Sequence, residues 1–125
     1  MPKLTLVYFD FHGGRGEPAR LALSIGGVPF EDRRVTFAEW SAMKKETPYG
    51  SLPVLEVDGQ RVAQSNGINR YVGKLAGLYP SDPLQAAFCD EPMDAVDWFA
   101  PLLSAFEAAV RPADQGNAKI CGAKF

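Results

Sequence analysis

The stretch Thr47-Pro-Tyr-Gly-Ser-Leu-Pro-Val-Leu-Glu-Val-Asp-Gly-Gln-Arg-Val-Ala-Gln-Ser-Asn-Gly-Ile-Asn-Arg-Tyr-Val72 decides the fold. At its centre, Asp58-Gly59 is a hairpin signal, since a two-residue type I′ turn needs φ > 0 at both positions. Val54–Val57 and Arg61–Ala63 therefore read as paired antiparallel strands. Pro53 has no N–H to give a ladder, so it marks the strand's first residue or a bulge. With a cis bond before Pro53, the chain turns sharply and bares the backbone of Leu52 to an extended ligand. From Ser65, the series Ile68, Tyr71, Val72, Leu75 has helical spacing, and Gly77 is its stop. Gln64-Ser65 at that helix N-terminus offers a carboxylate site, because free N–H groups and the positive dipole end lie there. Two readings stand side by side: a site for something extended, peptide-like and anionic, or an ordinary hairpin followed by a capped helix.

Outward from this stretch, Lys3–Phe9 is apolar at nearly every position, as in a central strand covered on both faces. A glycine-rich turn, His12–Gly16, leads to a helix with Pro18 in its first turn and Gly26-Gly27 as its close. Leu21, Ala22 and Ile25 are its expected buried stripe, and His12 is read as a plain turn residue. Phe30–Val35 reads as a second strand. Thr36-Phe37-Ala38-Glu39 is a capping box opening a short helix with Trp40, Met43 and Lys44. The order is β-α-β-α-β-β-α, and a helical crossover makes the first two strands parallel. Gly77–Pro83 is a linker by composition, with Asp82 as N-cap and Pro83 at the first position of a further helix. There Val96, Phe99, Leu103, Phe106 and Val110 form one apolar face, and a break or kink is expected at Pro92 and at Pro101. Residues 112–125 show no period and read as a weakly ordered tail.

The 125 residues suffice for one domain with a real core. Thirteen basic and fifteen acidic side chains give a net charge of −2, and the densest charged region mixes both signs, so no nucleic-acid face is expected. Cys89 and Cys121 form no CxxC, and with one histidine, His12, no metal site is expected. Leu4–Phe9 is too short for a signal-peptide core and nothing approaches a membrane span, which points to a reduced, cytoplasmic protein.

Four pieces in order carry a family resemblance: "LVYFD" ending strand one, "GRGEPARL" opening helix one, "W…MKKETPYGSLPVLEVDG", and "AQSNGINRYV". The string resembles the N-terminal domain of cytosolic glutathione transferases, in a sigma-like form related to prostaglandin D synthase and the lens S-crystallins. The resemblance covers residues 2 to about 80 and continues more loosely to about 110. It implies an α/β, thioredoxin-like domain over 1–78, a linker over 79–83, and the start of an all-helical C-terminal region over 84–111. It also implies roles. Tyr8 would donate its phenolic hydrogen bond to the glutathione sulfur, with Arg15 orienting tyrosine and thiolate. Trp40 and Lys44 would hold the glycine end, and Leu52, before cis-Pro53, would pair its backbone with the cysteinyl unit. Gln64 and Ser65 would bind the γ-glutamyl carboxylate and amine; Ser51 stands where the family often has Gln or Lys, weakening one contact.

The resemblance further implies glutathione as co-substrate, a small hydrophobic electrophile, a homodimer and a detoxifying conjugation or an isomerisation. Tyr49 reads either as an aromatic key inserted into a partner or as a ring packed on Pro48. Departures leave a second class open, a non-catalytic module that at most binds glutathione. The sequence holds only the first helix of the expected helical domain, whose further helices would help wall the electrophile pocket. Trp98 stands where an acidic residue is expected to reach across the dimer, and its neighbour Asp97 lies about 100° around the helix. A thioredoxin-type oxidoreductase is disfavoured, because no cysteine lies at the end of strand one.

Overall fold

The computed structural model describes residues 1–110, with side chains described for 1–97 and 101. It divides into two units, Met1–Asp82 and Pro83–Phe125.

In the first unit the elements run β1 (Leu4–Phe9), α1 (Glu17–Ile25), β2 (Glu31–Val35), α2 (Phe37–Met43), a 3₁₀ turn (Lys44–Glu46), β3 (Val54–Val57), β4 (Gln60–Ala63) and α3 (Ser65–Leu75). The expected order β-α-β-α-β-β-α is present, with β2 beginning one residue after Phe30 and Lys44 belonging to the 3₁₀ turn rather than to α2. The strands lie in the order β2-β1-β3-β4. β1 is parallel to β2, in register Tyr8 to Arg34, and antiparallel to β3, in register Val7 to Val54. The hairpin turns at Asp58 (φ 49°) and Gly59 (φ 83°), both left-handed as a type I′ turn requires.

Because side chains alternate along a strand, the central strand β1 feeds two cores. Leu4 and Leu6 pack with Leu55 beneath Ala19 and Leu23 of α1 and Ile68 and Val72 of α3. Val7, Val35, Val54 and Leu52 form a smaller cluster, against which Trp40 and Met43 of α2 pack. α2 buries no residue fully and depends on its cap. The Thr36 hydroxyl accepts from the Glu39 N–H at 3.2 Å, and the Glu39 carboxylate accepts from the Thr36 N–H at 2.8 Å.

The buried face of α1 differs from the apolar stripe expected. Ala22 of that stripe does pack against the core, but Leu21 and Ile25 are 53% and 72% exposed, whereas Ala19, Arg20 and Leu23 are buried. Apolarity selected the wrong phase, because Arg20 enters the interior through ion pairs with Glu17 and Asp32.

The second unit contributes α4, which runs from Pro83 to Val110 with Pro92 and Pro101 inside it. Of the break or kink expected at each proline, no break occurs, because a proline removes only one main-chain bond and α4 continues through both. Of the expected apolar face, Val96 is exposed. The side chains of Phe99, Leu103, Phe106 and Val110 lie outside the described residues, as do that of Trp98 and the expected tail 112–125. Among the described residues no helix is long and apolar enough to cross a membrane.

Candidate functional site

Tyr8 lies near the C-terminal end of β1, where the chain leaves the sheet for the glycine turn, and is 5% exposed. The turn doubles back over it. The Arg15 backbone N–H donates to the Tyr8 hydroxyl at 2.9 Å. Gly14 has φ +70°, and a Cβ built on it would lie 2.5 Å from the Tyr8 oxygen. A Cβ on Gly16 would run into the base of the Tyr8 ring. Glycine is therefore required by close approach at both positions and by backbone conformation at Gly14. Among the described residues nothing accepts the phenolic proton, so the hydroxyl is engaged as an acceptor and free as a donor.

Arg15 also reaches the far side of the site. Its Nη1 donates to the Ser65 Oγ at 3.4 Å, joining the glycine turn to the start of α3. Gln64, just before that helix, holds φ 73° and ψ 119°, a conformation a side-chain-bearing residue seldom adopts. Among the described residues no side-chain hydrogen bond caps α3 at Gln64, and an anion beside Ser65 would meet the positive end of the helix.

The remaining predicted residues lie along α2 and the segment before β3. Trp40 is half-buried, its ring edge-on to Phe9 at 5.5 Å, and Phe9 in turn meets Tyr8 edge-on at 5.5 Å. Lys44 is exposed, its aliphatic chain close enough to Gly50 that a Cβ there would lie 3.8 Å from Cε. Ser51 is exposed, and Leu52 is buried in the same cluster as Tyr8. The Leu52–Pro53 bond is cis, as the family resemblance implied, and the β1–β3 pairing ends at Val54, leaving the backbone of Leu52 outside the ladder. Hydrogen bonds thus join Tyr8, Arg15 and Ser65, and ring contacts bring Trp40 to them. No described bond joins the side chains of Lys44, Ser51 or Gln64 to that group.

One residue of this region escaped sequence reasoning. Arg20 lies under the Tyr8 ring, its guanidinium carbon 5.4 Å from the ring centre. The acid-base spacing Glu17–Arg20 on α1 was its only signal. Among the described residues no group of three or more His, Cys, Asp and Glu side chains could hold a metal.

A four-stranded mixed sheet with a cis-proline before its third strand, packed on α1 and α3, defines a thioredoxin-like domain. The family model "Glutathione S-transferase, N-terminal domain" matches residues 4–74, and the chain belongs to that family. It is 45% identical over 107 residues to glutathione S-transferase 1 of Ascaris suum, covering 85% of this chain and 52% of that one. It is 37% identical over 102 residues to hematopoietic prostaglandin D synthase of Gallus gallus, covering 82% and 51%. Among solved structures, the glutathione S-transferase from Ascaris lumbricoides superposes with a TM-score of 0.77 at 42% identity, over 90% of this chain and 56% of that one. The chain spans about half the length of these relatives.

Proposed function

We propose that this chain binds glutathione and raises the reactivity of its thiol toward small apolar electrophiles, either in conjugation or in a glutathione-dependent isomerisation. The observation that carries this reading is the Tyr8 hydroxyl, held by the Arg15 N–H with its own proton unclaimed. A thiol is a poor nucleophile and its thiolate a good one. A hydrogen bond to a charged group contributes roughly 1.5–3 kcal/mol, which lowers a bound thiol's pKa by about 1–2 units. Accepting a bond from Arg15 polarises the hydroxyl and strengthens the bond it donates to sulfur. The thiolate then attacks the electrophilic carbon, a C–S bond forms, and the displaced electron pair leaves with the departing group or stays on an activated acceptor.

The tripeptide's other groups find partners in the same reading. Ser65 and the α3 N-terminus take the glutamyl carboxylate, beside Gln64. The Leu52 backbone takes the cysteinyl unit, next to Ser51 and cis-Pro53, and Trp40 and Lys44 take the glycine carboxylate. The names of the relatives support this assignment, as does the family match over 4–74. The reading carries with it a homodimer, a role in detoxification and a reduced, cytoplasmic setting in which glutathione is available as thiol.

Isothermal titration of the purified chain with glutathione tests the proposal. Saturable binding is expected, weakened in Ser65→Ala by about 1–3 kcal/mol because a charged ligand group loses its partner. No binding to the folded protein would contradict it. Binding without turnover of any electrophile would favour the non-catalytic module instead.

A further inference from the structure

We propose that Arg20 is a positioning residue for the Tyr8 hydroxyl, acting through the underside of the ring and the turn that follows it. This rests on the reading above, in which that hydroxyl donates to the glutathione sulfur.

The observation is an arginine buried almost entirely, 5% exposed, on a helix whose apolar residues Leu21 and Ile25 are left outside. Its contacts are all directed at one small region. Nη2 donates to the Phe9 carbonyl at 3.2 Å and Nη1 to the Phe11 carbonyl at 3.1 Å. These are the two carbonyls of the turn that takes the chain out of β1, a turn closed by the Phe11 N–H donating to the Phe9 carbonyl at 2.9 Å. Nη1 also pairs with Glu17 at 3.3 Å, and that carboxylate accepts from the Gly13 N–H at 3.3 Å, extending the grip to the next bend. Nε is held by Asp32 of β2 at 2.9 Å, which fixes the guanidinium plane. In that position the guanidinium carbon stands 5.4 Å from the centre of the Tyr8 ring, within range of a cation–π contact.

Tyr8 is thus held from both ends. The Arg15 N–H bonds its oxygen from above, and Arg20 supports its ring while bracing the backbone that delivers Arg15. A cation against the ring face draws electron density from the phenol and makes its O–H a stronger donor. Only a planar fork can do all of this at once. A lysine in the same place keeps the charge but brings one nitrogen, which cannot span two carbonyls and two carboxylates. An arginine buried only to close a charge network would account for Glu17 and Asp32. It would not account for the two turn carbonyls and the ring together.

The test compares four forms of the full chain with bound glutathione: the parent, Arg20→Lys, Tyr8→Phe, and the double variant. For each, thiolate absorbance is followed against pH, with thermal unfolding measured alongside. Arg20→Lys is expected to keep glutathione affinity within about two-fold while the bound thiol titrates about half a pH unit to one unit higher. In the Tyr8→Phe background the same substitution is expected to add no further shift, because its effect passes through the hydroxyl. A folded Arg20→Lys protein with the parent's titration curve would overturn the proposal, leaving Arg20 a stabilising residue only. An equal shift with and without the Tyr8 hydroxyl would overturn it too, since the charge would then act on the sulfur directly. If Tyr8→Phe alone leaves the curve unmoved, the reading of Tyr8 itself fails, a result separable from the other two. Should Arg20→Lys not fold, Asp32→Asn releases the guanidinium at a partly exposed position. The same upward shift is expected there, and its absence would count equally against the proposal.

Discussion

The backbone N–H of Arg15 donates to the Tyr8 hydroxyl at 2.9 Å while the Arg15 side chain reaches Ser65 at 3.4 Å. A single residue of the glycine turn therefore links the end of β1 to the start of α3, the two places where the sequence suggested chemistry. The turn's glycines follow from this arrangement, because a side chain at Gly14 or Gly16 would occupy space that Tyr8 fills.

Gly14→Ala should disable the site more than it destabilises the fold. The new Cβ would stand 2.5 Å from the Tyr8 oxygen, at a backbone angle of +70°. The left-handed conformation alone costs roughly 1–2 kcal/mol for a residue with a Cβ. Conjugation is expected to fall at least ten-fold with glutathione affinity changed far less; steady-state kinetics beside calorimetric binding separate the two. Equal losses in both would mean the whole turn has moved.

Thr36→Ala should loosen α2 without unfolding the domain. α2 has no fully buried residue, and its capping box is worth about 0.5–2 kcal/mol. Since α2 carries Trp40, glutathione should bind several-fold more weakly, while the midpoint of thermal unfolding falls by only several degrees. Amide exchange along 37–43 reports the loosening; protection equal to the parent would refute it.

Acid should have a related effect. The two bonds Glu39 accepts from Thr36, first from its N–H and then from its hydroxyl, hold its carboxyl below the usual carboxylate value. A depressed folded value means the contribution is complete above the unfolded value and is lost as pH falls through the folded one. Protection of the α2 amides, taken relative to their intrinsic exchange rates, should therefore fall as the pH drops through the depressed Glu39 value, and Glu39→Gln should remove that pH dependence.

Leu23→Ala should cost about 2–5 kcal/mol, as for other buried leucines, whereas Leu21→Ala should stay within about 0.5 kcal/mol. Leu23 is fully buried and Leu21 is 53% exposed. Urea unfolding of both variants checks the register of α1, and a larger loss for Leu21 would reverse it.

That register marks where the sequence stopped being legible. The hairpin at Asp58-Gly59 and the capping box at Thr36 follow from local chemistry, which is written in adjacent residues. The parallel pairing of β1 with β2 follows from the helical crossover, and the cis bond before Pro53 was implied by the family resemblance. The face of α1 depends instead on a charge entering the interior, and its partners Asp32, Phe9 and Phe11 lie on other elements. No count of apolar residues could reveal that Arg20 points inward. In α4 the prolines suggested a break or kink at each, and the helix runs on through both without a break. Within the candidate site, Tyr8 and Arg15 were named through the family resemblance, and Ser65 also from its place at a helix N-terminus. The bonds that join them, and the need for glycine at 14 and 16, emerged only when the turn closed over the tyrosine.

The most direct measurement of the central claim is the thiolate absorbance of the glutathione complex against pH, in the parent and in Tyr8→Phe. The bound thiol of the parent should titrate about 1–2 units below free glutathione, and the variant should bind with similar affinity but lose most of that displacement. Coincident curves for the two proteins would contradict the claim and assign activation of the sulfur to another group.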